Sequence, residues 1–354
     1  MIQPSTLFWT LVPLQCLSLG ALACSRVNYN SGEQDGNRIV VGRSMDWMVS
    51  TNSSLYAFPA GMNRTGAAGN HSLSWQTKYG SVITTGYDIS TCDGMNSEGL
   101  VGNLLYLADS DYGARNQSIP ALTLGLAVQY FLDLYPNVSA AVQDLYQPDG
   151  SPKFQVRTEE VIPGVHSTMH VALSDSTGDS AILEWINGKL VVHHSPTYTV
   201  MTNEPPFDQQ LAIDAYWDPI SNFSLPGTDR PADRFARLAH YNRVAPDSAD
   251  MVSAVATTAG MVRAVSVPLE PTAIDNPNIA PTIWRTYADT KSKTYFFEDA
   301  LQPMFFWVDF ADINLSANGT VMKLPLNVTW SDRVGDMSKQ FKQASAYVPM
   351  PANN

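Results

Sequence analysis

Cysteine is scarce in this chain: Cys16, Cys24 and Cys92 are the only three in 354 residues. Cys16 falls in an apolar leader, so at most one disulfide could form downstream, which excludes a disulfide-stapled scaffold and a cysteine-rich zinc site. Basic charge is also short, with 21 Lys and Arg against 33 Asp and Glu and a formal charge of −12. That balance lacks the footprint of a nucleic-acid binder and suits small neutral or amphiphilic partners. Neither a G-x-S-x-G elbow nor a G-x-G-x-x-G loop occurs, so the usual marks of a serine hydrolase and of a dinucleotide site are missing. No uninterrupted apolar run is long enough for a stable membrane span. Residues 7–22 come nearest, but Pro13 and Gln15 break them and they fall short of the roughly 18 to 20 residues a span needs.

That leader ends Gly20-Ala21-Leu22-Ala23, small residues suited to a signal peptidase, and no Lys or Arg precedes Arg26. Residues 1–23 are read as a signal peptide, with an uncleaved anchor second. Lipidation of Cys24 is a weaker reading, because Ala21 stands where a lipoprotein leader has leucine. Cleavage before Cys24 would leave a nucleophile and its base on one residue: a thiol of pKa ~8.5 beside an α-amine of ~7.7 to 8, able to take the thiol proton without a histidine. This is the chemistry of an N-terminal nucleophile hydrolase. Nine N-x-S/T sites, at Asn52, Asn63, Asn70, Asn116, Asn137, Asn222, Asn314, Asn318 and Asn327, agree with export to the exterior, or to the periplasm of a bacterium.

Residues 24–29 read as extended, 30–37 as a Gly- and Asn-rich turn, and 38–46 as a strand in which Ile39 and Val41 alternate with Val40 and Gly42. Together they predict a hairpin. Pairing Asn30 with Asn37 sets Cys24 opposite Arg43, whose guanidinium would favour thiolate. Period-two alternation sends Arg43 and Asp46 to opposite faces, so a bend near Met45 is required if both serve one site. Residues 74–83 read as a strand, 93–100 as a turn into apolar 101–107, and 121–145 as helix split by Pro136. Strand character follows at 169–171, 181–185 and 191–202, helical pattern at 232–241 and 248–262, and strand again at 282–297 and 304–310. Strands, helices, then strands, without repeat or linker, predict a single α+β domain over 24–354.

Cys24, Gly42-Arg43-Ser44-Met45-Asp46-Trp47, Asp93-Gly94-Met95-Asn96-Ser97-Glu98-Gly99-Leu100, Thr202-Asn203-Glu204-Pro205, Phe207-Asp208 and Arg234-Phe235-Ala236-Arg237 occur in this order. The ordered set resembles the choloylglycine hydrolase family, which contains penicillin V acylases and conjugated bile acid hydrolases. Lys78-Tyr79-Gly80-Ser81-Val82, Asn103-Leu104-Leu105-Tyr106-Leu107, Ser224-Leu225-Pro226-Gly227 and Phe306-Trp307-Val308-Asp309 resemble its Gram-negative-type penicillin V acylase branch. The resemblance spans essentially the whole mature chain and implies a four-layer αββα N-terminal nucleophile (Ntn) hydrolase fold. By the family pattern Cys24 attacks a linear amide, its amine relays the proton, Asp46 holds that amine and Arg43 stabilises the thiolate. Asn203 would donate to the oxyanion and Arg234 support the charged network, with no cofactor or metal. Trp47, Asn103 and Tyr106 are read as substrate-contacting or orienting residues, although relatives differ at the position matching Tyr106. The implied substrates are small phenoxyacetyl or fatty-acyl amides such as N-acyl homoserine lactones, with conjugated bile salts as the alternative. Relatives are often homotetramers.

Other constellations are weaker. His166 and His170 have the spacing of a helical metal pair, but no Glu lies between them and their surroundings read as strand. Cys92 is read as an idle thiol. The alternative from another class is an exported, lipid-anchored binding protein whose amine is blocked.

Overall fold

The computed structural model describes residues 24–32, 36–158, 160, 166–269, 280–302, 304–326 and 332–352. The leader 1–23 and the sequon at Asn327 lie outside the described residues. Strands β1 (Cys24–Asn30) and β2 (Ile39–Asp46) form the expected hairpin. Its register differs from the expected one: Asn30 pairs with Ile39, Arg26 with Arg43, and Cys24 with Met45. The turn explains the shift. The Ser31 amide donates to the Arg38 carbonyl at 2.8 Å and the Asn37 amide to Gly32 at 2.9 Å, so Asn37, at φ 55°, belongs to the turn and not to the ladder. A slip of two residues is even, so Arg43 keeps its face.

β1 and β2 lie within a seven-stranded sheet ordered Val200–Met201, β1, β2, Thr282–Asp289, Thr294–Asp299, Met304–Asp309, Gly335–Asp336. A nine-stranded sheet runs Lys189–His194, Ser180–Ile186, Met169–Ser174, Val101–Tyr106, Ser90–Asn96, Ser81–Gly86, β3 (Ser54–Phe58), Met322–Pro325, Lys342–Gln343. Its central strands are buried on both faces, and alternation sorts their side chains. Leu55, Ala57, Leu105, Ala172 and Ile182 join the core shared with the first sheet, whereas Tyr56, Phe58, Leu104, Val171 and Leu183 join a second core. Helix α1 (Ala127–Leu134) covers that second face, and α2 (Val138–Gln143) extends the layer. With α3 at Phe207–Trp217, helices α4 (Pro231–Val244) and α5 (Met251–Ala264) cover β1 and β2 on the other side, and α3 packs on α4. Two sheets face to face between two helical layers make the αββα fold. Among the described residues no helix is long and apolar enough to cross a membrane.

At Gly42 α5 lies close against β2: a Cβ there would lie 2.6 Å from Thr258 Cγ2 and 2.9 Å from Val262 Cγ2. Gly42→Ala is therefore expected to destabilise the protein by roughly 1–3 kcal/mol, the usual cost of overpacking a core. Urea unfolding at neutral pH measures this, and an unchanged midpoint would contradict it.

The expected helix at 121–145 begins later. Ala121–Thr123 is a strand paired with Gln155–Arg157, and helix starts at Ala127, with the predicted break at Pro136 between α1 and α2. Asp93-Gly94-Met95-Asn96 closes the strand Ser90–Asn96 instead of forming a turn. The turn follows it, because Asn96 Oδ1 accepts the Glu98 and Leu100 amides at 3.0 Å each while its Nδ2 donates to the Leu132 and Tyr135 carbonyls.

Candidate active site

Cys24 opens β1, and its main-chain nitrogen donates to Asn203 Oδ1 at 2.7 Å. Paired residues share a face, so the Cys24 and Met45 side chains both enter the layer between the sheets, as does Arg43 two residues earlier. Arg43 Nη2 reaches within 3.7 Å of Cys24 Sγ and donates to the Leu104 carbonyl at 3.0 Å, and Nε donates to the Ser44 carbonyl at 3.0 Å. The guanidinium lies 4.6 Å from the Trp284 ring centroid and 3.9 Å from Asp93. Burial opposes its charge, but the facing Cys24, Asp93 and Cys92 groups outweigh that and raise its pKa.

Asp46 points the other way, toward the helices. Its Oδ1 accepts Thr282 Oγ1–H at 2.6 Å, and Oδ2 lies 3.6 Å from Arg234 Nη1 with no hydrogen-bond partner among the described residues. Burial pushes this carboxyl up to about 6 despite Arg234 and Thr282. Arg234, wholly buried on α4, donates to the Cys24 carbonyl at 2.8 Å, to Ser25 Oγ at 2.6 Å and to Asn203 Oδ1 at 2.8 Å. β2 stays a strand to Asp46, but its ladder with Thr282–Asp289 has a bulge at Ile283, opposite Met45 and Asp46, at the place of the expected bend. The two faces also meet because Cys24 is the first residue of its strand. Its thiol lies on one face with Arg43, and the main-chain atoms at the strand end meet Asn203 and Arg234 from the other.

Asn203 Nδ2 donates to the Tyr106 carbonyl at 2.7 Å, placing half-buried Tyr106 beside the site. Trp47 follows β2 directly, and its indole donates to Tyr87 Oη at 2.6 Å. Asn103 lies on the strand Val101–Tyr106, paired with Asp93. It is buried and donates to Asp93 Oδ2 at 2.6 Å, behind Arg43. Asp93 also accepts the Tyr295 hydroxyl, so it is a buried counter-charge to Arg43 within a motif that reads as a turn. Thr282 and Trp284 escape sequence reasoning altogether, since each lies more than 230 residues from its partner at 46 or 51.

Among the described residues no group of three or more His, Cys, Asp or Glu could hold a metal. Cys92 is free, buried and pushed up to about 11 by burial. Cys92→Ala is expected to keep most of the wild-type rate, and a dead variant would reassign the reactive thiol.

The model of the linear amide C–N hydrolases, choloylglycine hydrolase family, matches residues 24–323, beginning at Cys24 itself. The chain belongs to the choloylglycine hydrolase family. It is thus a linear amide hydrolase, and the layered architecture above is this family's Ntn hydrolase fold. The penicillin V acylase of Pectobacterium atrosepticum is 42% identical over 365 residues, covering 96% of this chain and 95% of its own. The structure of penicillin V acylase from Agrobacterium tumefaciens superposes with a TM-score of 0.83 at 41% identity, covering 92% of this chain and 99% of that one. A cysteine-to-alanine mutant of conjugated bile acid hydrolase from Clostridium perfringens shares the fold, with a TM-score of 0.72 at 18% identity over 86% of this chain and 97% of that one.

Proposed function

We propose that this member of the choloylglycine hydrolase family is exported, is cut before Cys24, and cleaves phenoxyacetyl or fatty-acyl amides, in the manner of a penicillin V acylase, through a Cys24 thioester. The observation that carries the reading is the convergence on one residue: the Cys24 nitrogen on Asn203 at 2.7 Å and its sulfur 3.7 Å from a buried guanidinium. Relatives at 42% and 41% identity named as penicillin V acylases support the substrate class.

In the cut chain the Cys24 α-amine takes the thiol proton, while Arg43 stabilises negative charge on sulfur. Sγ attacks the amide carbon, forming the C–S bond and a tetrahedral oxyanion. Asn203 has two Nδ2 protons. One is engaged on Tyr106, and the other is the donor for that oxyanion, an interaction whose loss typically costs ~10² to 10³ in rate. The ammonium then protonates the leaving amine as the C–N bond breaks. Water, deprotonated by the same amine, hydrolyses the thioester to carboxylic acid and free thiol. Asp46 Oδ2, which has no hydrogen-bond partner among the described residues, is the acceptor for the extra ammonium protons.

The test incubates the chain starting at Cys24 with penicillin V, a series of N-acyl homoserine lactones and a conjugated bile acid, with Cys24→Ala as blank. Released amine from the first two classes, and an acyl-enzyme mass on Cys24 after acid quench, are expected. Turnover of the bile acid alone would move the chain to the other substrate class, and turnover by Cys24→Ala would end the mechanism. Intact mass from the native secretory route checks the cut: a lipid-modified Cys24 or an uncut chain would favour an anchored binding protein.

A further inference from the structure

His170 and Glu184 are buried and have no part in the chemistry above. They come from neighbouring strands of the nine-stranded sheet, Met169–Ser174 and Ser180–Ile186. His170 Nδ1 lies 2.9 Å from Glu184 Oε1, and Nε2 lies 2.9 Å from the Thr202 carbonyl oxygen. The Glu184 oxygens accept the Phe207 amide at 3.2 and 3.1 Å, and His193 Nε2 stands 3.4 Å from Oε2. A peptide carbonyl only accepts, so Nε2 carries a proton. Burial alone would raise the Glu184 pKa, but the hydrogen bonds from His170 and the Phe207 amide, with the His193 ring nearby, bring it down to about 2. His170 thus bridges the Glu184 carboxylate and the Thr202 carbonyl in the interior.

A buried polar pair of this kind contributes little net stability, because desolvating its groups offsets their attraction. Its location suggests another use. Thr202 and Phe207 are the two ends of the loop that carries Asn203, between the short strand Val200–Met201 and helix α3. Within the loop Gln210 donates to the Asn203 carbonyl and, at 2.7 Å, to the Pro205 carbonyl. We propose that the His170–Glu184 pair is a positioning device for the reaction: it pins both ends of the 202–207 loop and so holds the Asn203 amide against Cys24. This rests on the amidase reading above. The pair transmits the position of the nine-stranded sheet to the end of β1, where the reacting atoms are.

His170→Gln and His170→Asn separate positioning from packing. In Gln the side-chain nitrogen reaches the place of Nε2 and keeps the bond to Thr202. In Asn it ends near Nδ1 and reaches only Glu184. Both remove the imidazole ring, so a purely structural role would lower both unfolding midpoints and leave the folded fractions equally active. Positioning predicts a kcat on penicillin V about 10- to 100-fold down in Asn but within about 3-fold of wild type in Gln, with KM little changed in both. Equal kcat in the two folded variants overturns the proposal. Should the Asn variant not fold, Glu184→Met takes its place, since its side chain offers no oxygen to either His170 or Phe207. A loss of about 10-fold in kcat at unchanged KM is expected there, and wild-type kcat in the folded variant overturns the proposal. Alkylation of Cys24 by iodoacetamide across pH provides a readout independent of any amide, because Asn203 holds the nitrogen next to the thiol. A wild type inert toward every amide, with profiles that still differ between Asn and Gln, would sink the amidase reading and keep the positioning role. An active wild type with identical profiles and kcat in both variants would do the reverse.

Discussion

One extra residue ahead of Cys24 in the otherwise mature chain is expected to leave the unfolding midpoint unchanged and to lower amide turnover by at least about 10³-fold, the scale of lost general acid–base catalysis. The two halves of this expectation have separate causes. The fold does not need the free amine: in the uncut chain the Cys24 nitrogen already donates to Asn203 at 2.7 Å as a peptide N–H, and β1 is paired along its length. The proposed chemistry does need it, since a peptide nitrogen has no basic lone pair to take the thiol proton or return it to the leaving amine. The extended protein should still react slowly with iodoacetamide, because Arg43 stays 3.7 Å from Sγ. Denaturation, intact mass and kcat on the same preparation check both halves. Full turnover would show that some other group is the base and would detach the function from the N-terminus.

How much of this is legible in the sequence depends on distance along the chain. The hairpin carrying Cys24, Arg43 and Asp46 is local, and alternation with Gly- and Asn-rich turn chemistry predicts it. Its register differs by two residues from the expected one because the ladder is set by which residues the turn consumes, and Asn37 adopts a positive φ that its residue type permits but does not require. The opposed faces of Arg43 and Asp46 look like an obstacle in the sequence because alternation describes side chains and says nothing of a strand's end. At Cys24 the thiol follows the pleat while the main-chain nitrogen is accessible from the other side. Asp93 is visible as a motif but reads as a turn, since a glycine after it and an asparagine two residues further carry turn propensity that sheet pairing overrides. Thr282 on Asp46, and His170 on Thr202, have no local signature at all. Only the resemblance to known relatives brings Asn203 and Arg234 to Cys24, across 179 and 210 residues of chain.

Asp46→Asn is expected to lower kcat by about 10²-fold, the low end for a group supporting general acid–base catalysis, and to remove the acid limb of its pH profile. The carboxylate Oδ2 has no hydrogen-bond partner among the described residues and sits 3.6 Å from Arg234, so an ammonium at Cys24 gains a buried acceptor there that an amide cannot match. Burial places the carboxyl at about 6 in the uncut chain. Activity that needs the anion therefore rises as pH climbs through that value, and the ammonium of the cut chain, a new positive charge, draws the limb to about pH 6 or below. Stability runs with the opposite sign. A folded value above the unfolded ~3.9 means that the folded state holds the extra proton between about pH 4 and 6. Wild type thus loses stability as pH rises across that window, by up to roughly 3 kcal/mol at 1.36 kcal/mol per pH unit, and Asn does not. Urea unfolding at pH 4 and pH 7 should then show the variant gaining on wild type toward neutrality, most in a chain whose N-terminus is blocked. A residue whose charge costs the fold at neutral pH is thereby the one on which the proposed amine depends. An unchanged pH–rate profile in Asp46→Asn would remove Asp46 from the reaction, and a variant that gains nothing between the two pH values would show that Arg234 already neutralises the carboxylate in full.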